Sequence, residues 1–155
     1  MLQQLVAERS LHARNGTAFA VTPTLREAFA EGDDDELADV ALRDAALASL
    51  RLLAGEGISD LPPRRAVVVA EVEGATGRPD LDDAVVRLSG SIAYDDVIAV
   101  YVDNADAEAA VVAAIEAVDS ADMGDEDAEF VVGDAQDHDL AWYAPQELPF
   151  LLELL

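Results

Sequence analysis

The chain contains no cysteine and no lysine. Without cysteine there is no disulfide frame, thiol nucleophile or thiolate metal site. Without lysine there is no P-loop lysine, Schiff-base lysine or kinase strand lysine. Basic charge is scarce as well: nine arginines are the whole supply, and the last of them is Arg87. No apolar run approaches the roughly 18 residues a membrane-crossing helix needs. The N-terminal MLQQLV has no basic stretch of the kind that opens a secretory signal. The expectation is a soluble cytoplasmic protein, the absence of cysteine fitting a reducing compartment.

Signature motifs are missing too. Gly55 and Gly57 are followed by Ile58, Ser59 and Asp60, so the dinucleotide fingerprint G-x-G-x-x-G is not completed. No serine sits in G-x-S-x-G; Ser89-Gly90-Ser91 is a turn composition. Glu8 stands four residues before His12, one too many for the E-x-x-H half of a metal motif.

What is abundant is carboxylate. Thirty-three acids give a formal net charge of −24. The first 87 residues hold sixteen acids against nine arginines, a net −7; the last 68 hold seventeen acids and no base, a net −17. Phosphate backbones need clustered Arg or Lys, so direct nucleic-acid binding is disfavoured. Anionic membrane surfaces are disfavoured on the same ground. The electrostatically allowed partners are a basic protein surface or a cation. Apolar residues make up 52% of the 155, and mean hydropathy is +0.14, enough for one folded domain with its own core.

Periodicity gives the elements. Residues 2–13 read as an amphipathic helix with Leu2, Leu5, Val6 and Leu11 near one face, uncapped at its start and stopped by Gly16. Thr17–Thr22 alternates as a short strand, and Thr22 then caps a helix with Pro23 in its first turn, running to about Glu31. Residues 34–54 form the plainest helix, its stripe running Leu37, Ala41, Ala45, Ala48, Leu52 and widened by Val40, Leu47, Leu50 and Leu53. Ala66–Val72 is a buried strand, Gly74–Asp83 a polar loop, and Ala84–Ser89 a strand pairing with Ala66–Val72 as a long-looped hairpin. Val97–Val102 is a further strand, and Asp103 or Asn104 caps a helix over 105–118. Asp119–Glu129 reads as an acidic loop, Phe130–Val132 and Leu140–Tyr143 as short strands, and Pro145–Leu155 as a closing helix. Helices and strands are interspersed. The fold class is α+β: a single domain over 1–155, with a mixed or mostly antiparallel sheet covered by helices.

The one dense polar constellation is C-terminal. Asp119, Asp122, Asp125, Glu126, Asp127 and Glu129 are followed by Asp134, Asp137, His138 and Asp139. Oxygen-rich sets of this kind suit hard cations, but the spacing is not that of an EF-hand. His138 lies between two aspartates in a stretch that reads as an exposed turn, with no nucleophile or oxyanion donor beside it. Trp142-Tyr143 reads as core with a polar edge. Arg64-Arg65, where a loop meets a strand, is expected to pair with the acid-rich half of the same chain.

Four segments carry a resemblance: Gly16–Pro23 (GTAFAVTP), Ala45–Ala54, Val102–Ala110 (VDNADAEAA), and the stretch from Gly124-Asp125-Glu126-Asp127-Ala128 to Trp142–Leu148 (WYAPQEL). Through them the chain resembles a family of uncharacterised acidic actinobacterial proteins with no established activity. The resemblance spans most of the chain and implies no catalytic residues. It does imply a further strand ahead of the first helix; either the native chain starts upstream of Met1 or this member has lost that strand. If that strand pairs with Thr17–Thr22, its loss opens a sheet edge there, and open edges self-associate.

The leading functional expectation is a non-enzymatic module whose acidic half docks on a basic protein through Asp125, Glu126, Asp127, Asp137, His138 and Asp139. No cofactor is called for. The alternatives are a metal-dependent enzyme built on the 119–139 cluster, and acidity with no specific role.

Overall fold

A computed structural model describes residues 1–56 and 62–154. The chain opens with α1 (Leu2–Glu8), β1 (Ser10–Leu11) and β2 (Thr17–Phe19), followed by α2 (Pro23–Ala28) and α3 (Asp34–Glu56). The middle holds β3 (Ala66–Ala70), β4 (Thr76–Gly77), β5 (Val85–Arg87), β6 (Ile92–Ala93) and β7 (Val97–Val102). Then come α4 (Glu108–Asp122), α5 (Glu126–Gln136), β8 (Ala141–Tyr143) and α6 (Leu148–Leu154). The class is α+β, as the periodicity predicts. The strands form three small antiparallel sheets rather than one, ordered β1-β6, β2-β5-β4 and β3-β7-β8.

The central strand β7 organises the first core. Val100 and Val102 are buried against Leu2 and Leu5 of α1 and Leu148 and Leu151 of α6. Each such leucine contributes roughly 1.5–3 kcal/mol by leaving water. The sequence reading pairs the strand at 84–89 with the one at 66–72; the structure pairs β3 with β7 instead. Val67 of β3 is buried, as are four of the six residues of β7, so β3 lies beside the longest of the described strands, one buried over most of its length. β5 goes to β2 and β4, with Thr17, Ala18 and Phe19 opposite Arg87, Val86 and Val85.

The first helix is shorter than its apolar pattern. It stops at Glu8 because Arg9 turns left-handed (φ 59°) and the next two residues pair with β6. Arg9 stacks on the Tyr94 ring at 4.0 Å and donates to Asp95, contacts that offset its backbone cost. Leu11 still reaches the core, but from a strand. At α2 the expected cap is present: Thr22 Oγ1 accepts from Leu25 N at 3.0 Å and donates to the Asp83 carbonyl, with Pro23 in the first turn.

A second core joins three helices: Leu50 of α3, Val111, Ala114 and Val118 of α4, and Ala135 of α5. The buried face of α3 is Leu37, Ala41, Ala46 and Leu50, flanked by Val40, Leu47 and Leu53. Leu52 of the expected stripe lies on the solvent side. Ser49 Oγ, one turn away, accepts from Ala66 N at 3.0 Å and ties α3 to the outer edge of β3. Trp142 is a larger correction. It is 57% exposed on β8 rather than buried, while Tyr143 beside it packs on the core.

Candidate functional site

The stretch read as an acidic loop and a strand is a helical hairpin. α4 continues to Asp122, the chain turns through Gly124 (φ 93°), and Asp125 starts α5. The Asp125 side chain accepts from Ala128 N at 3.1 Å, the bond an N-cap makes. Glu126, Asp127 and Glu129 then occupy the first turn, where the helix dipole favours negative charge. Phe130, Val131 and Val132 look β-prone in isolation. In the helix, Ala128, Val132 and Ala135 form the inward stripe at spacings of four and three, and the small alanines let α5 lie close on α4.

The outward stripe follows from the same geometry. Asp127, Phe130 and Asp134 are three and four residues apart, so they share one face. All three are exposed, and Phe130 is 75% exposed. None of the acids from Asp125 to Asp139 takes part in an ion pair among the described residues. At the turn end of the hairpin Arg51 pairs with Asp122, the last residue of α4. Its bidentate hydrogen bonds hold the Asp122 carboxyl below the usual range.

The far end of α5 is held from inside the protein. Arg65 is 1% exposed and faces Asp103, which is fully buried. Nη2 of Arg65 donates to Asp103 Oδ1 at 2.7 Å and to the His138 carbonyl at 2.8 Å, and Nη1 donates to Gln136 Oε1 at 2.9 Å. A guanidinium therefore sits against the last turn of α5, where carbonyl groups favour a cation. Gln136 Nε2 in turn donates to the Arg43 carbonyl at 3.1 Å, fastening α5 to α3. Of the two residues expected to cap the next helix, Asn104 holds the N-cap position without a side-chain bond, while the Asp103 carboxylate is spent on Arg65. The neighbouring Arg64 pairs with Glu108 at 2.9 Å, so both arginines join the acid-rich half as the sequence predicts.

The six expected site residues fall into two groups. Asp125, Glu126 and Asp127 stand exposed at the start of α5. Asp137 and Asp139 are exposed just past its end, and His138 is half-buried with its carbonyl engaged by Arg65. Nine residues of α5 lie between Asp127 and Asp137, and the ten steps rise about 15 Å at roughly 1.5 Å per residue. They do not converge, and no group of three or more His, Asp or Glu side chains among the described residues is placed to hold a metal ion. The residue that composition missed is Phe130. Its signal was the Asp125 cap followed by small or apolar residues at 128, 132 and 135.

A hollow of about 240 Å³ between α2 and the β4–β5 strands offers little chemistry. Its one guanidinium, Arg78, is held by both oxygens of Asp80 at 2.9 and 2.8 Å. No described helix is long and apolar enough to cross a membrane. Comparison with curated proteins and with solved structures gave no match. One family matches residues 1–152, nearly the whole length, and the chain belongs to it: DUF6912, a family of unknown function.

Proposed function

We infer that the protein is a non-enzymatic interaction module that docks the outer face of α5 on a basic protein surface. The observation that carries this reading is Phe130, 75% exposed between carboxylates that form no ion pair among the described residues. An amphipathic helix laid in a groove is a recurring mode of recognition, with residues at i, i+3 and i+4 as anchors. Here Phe130 is the apolar anchor. Asp127 and Asp134 supply charge on either side of it, and Asp125, Glu126, Asp137 and Asp139 extend the field to both ends of the helix. Aromatic anchors carry much of the affinity of interfaces. Carboxylates contribute mainly orientation and association rate. The cysteine-free composition supports a cytoplasmic setting, and the acidic actinobacterial family that the segments resemble is read as this same family.

The test is retention of a partner from source-cell lysate at ~0.15 M salt, where surface charges are screened beyond about 8 Å. Wild type is compared with Phe130→Ala, with Asp127→Arg/Asp134→Arg, and with Phe150→Ala as an exposed control elsewhere. One protein retained by wild type and the control, and lost from both α5 variants, supports docking. A protein retained equally by all four would sink it.

Self-association is a second reading. β2 has one neighbour, β5, among the described strands. Ala20 N bonds Ala84 O and Leu88 N bonds Gly16 O, so the backbone groups of Phe19 point away from β5. That edge is where a second copy would add a strand. Sedimentation equilibrium on the intact chain checks it: a monomer throughout the micromolar range counts against it.

A further inference from the structure

The geometry points to a second, independent site: the cleft between the end of α2 and the start of α3 takes an organic cation, an alkyl-substituted ammonium or guanidinium group. The cleft has a volume of about 650 Å³ and is lined by Phe29, Glu31, Gly32, Glu36, Leu37 and Val40, among others. Small-ligand sites span roughly 300–1,000 Å³. Its floor is apolar, with Leu37 buried and Val40 partly so. Phe29 stands at the rim, 49% exposed. Its backbone is fixed: Phe29 N donates to the Leu25 carbonyl at 3.1 Å, and the Phe29 carbonyl accepts from Gly32 N at 2.9 Å.

Charge at the cleft has one sign. Glu31 and Glu36 line it and no arginine does. Arg26, in the last turn of α2, is engaged by Asp34 at 2.7 Å. Neither glutamate takes part in an ion pair among the described residues. Glu36 Oε2 lies 3.6 Å from the position a Cβ on Gly32 would occupy, so the carboxylate lies along the cleft wall. A half-exposed aromatic ring, two exposed carboxylates outside any ion pair among the described residues, and an apolar floor match the three parts of an alkyl cation: its charge on the ring, its N–H groups on oxygen, its methylenes on Leu37 and Val40. A bare divalent metal would ask for about six or more oxygen ligands, and this cleft has two carboxylates. The site does not involve α5, so either reading can fail without the other.

The experiment is an amide-shift NMR titration of the intact chain at ~0.15 M salt. The probes are agmatine, a free organic cation, N-acetyl-arginine amide, which presents the same group as a peptide does, and butylurea as the neutral isostere. The expected result is saturable shifts at residues 29–40 with at least one of the two cations and none with butylurea. Preference for the blocked arginine assigns the site to a protein side chain, and preference for agmatine to a free metabolite. Phe29→Ala and Glu36→Gln should each weaken binding about three- to fivefold, the measure of an exposed cation–aromatic or charged contact. Gly32→Ala, whose methyl would lie 3.3 Å from the Phe29 carbonyl and 3.5 Å from Leu37 Cδ2, should weaken it by crowding, with circular dichroism showing an intact fold. Shifts that rise linearly without saturating, that butylurea reproduces, or that survive Glu31→Gln/Glu36→Gln unchanged would overturn the proposal.

Discussion

Arg65 and Asp103 meet at the junction of β3, β7 and α5, joined through Nη2–Oδ1 at 2.7 Å and Nε–Oδ2 at 2.9 Å with neither side chain open to solvent. The Arg65 backbone N–H adds a third bond to the same carboxylate, at 2.8 Å. The remaining guanidinium donors reach Gln136 and the His138 carbonyl, so no charge is left uncompensated. Removing one partner strands the other in the interior. Asp103→Ala or Arg65→Ala should cost about 3–5 kcal/mol in urea unfolding, the usual result of breaking a buried pair. Arg65→Lys should recover little of it, because an ammonium cannot span both carboxylate oxygens and still reach His138. A loss under about 1 kcal/mol for all three would contradict this account.

Asp44 predicts a pH effect on stability. Burial raises its carboxyl above the ordinary value of 3.8, and Asp82 and, more weakly, Asp83 add to this against the pull of Arg43 and Arg51. A carboxyl raised in the folded state binds its proton more tightly there than in the unfolded chain. Its ionisation therefore lowers stability as pH rises from 3.8 through the folded value. Asp44→Asn should raise the urea midpoint at neutral pH and remove that part of the pH slope.

Asp122 runs the other way. Its hydrogen bonds from Arg51 hold its pKa below 3.8, so its contribution is present at neutral pH and fades as pH falls through the folded value. Both partners are close to half exposed, and exposed pairs of this sort are worth little. Asp122→Asn should leave neutral-pH stability nearly unchanged. A large loss would mean that the pair fixes α4 on α3 more firmly than its exposure suggests.

Legibility in the sequence followed how local each determinant is. The Thr22 cap, the Pro23 first turn and α3 were readable because the signals lie within a few residues of the structure they cause. The pairing of β3 with β7 was not, since nothing local distinguishes β5 from β7 as a neighbour. The acidic hairpin failed for a different reason. A dense run of Asp and Glu looks like a solvated loop, and Phe130-Val131-Val132 looks like a strand. Here Asp125 caps, the acids favour the helix dipole, and the apolar residues find α4. Arg64-Arg65 was legible as a pair that seeks acids within the chain. Which acids was a matter of tertiary placement.

On α5, stability and docking should separate. Asp125 makes a cap bond, so Asp125→Ala should cost about 1 kcal/mol. Phe130 projects into solvent, so Phe130→Ala should change unfolding by no more than about 0.5 kcal/mol, as exposed positions do. A Phe130→Ala loss above ~2 kcal/mol would place the ring in packing and remove it as a docking anchor.

Salt distinguishes docking from charge that merely accumulates. At −24 the chain repels itself, so added sodium chloride should raise its melting temperature by screening carboxylates from one another. The same screening should weaken steering onto a basic partner, slowing association. If Phe130 seats in an apolar groove of the partner, that contact is insensitive to salt, so the dissociation rate should not rise with it. Surface plasmon resonance between about 0.05 and 0.5 M salt reads both. Association that slows while dissociation holds steady assigns charge to steering and the ring to grip. Dissociation that accelerates in step with salt, or binding that vanishes outright, would mean that the carboxylates alone make the contact and that any polyanion of this charge would do the same.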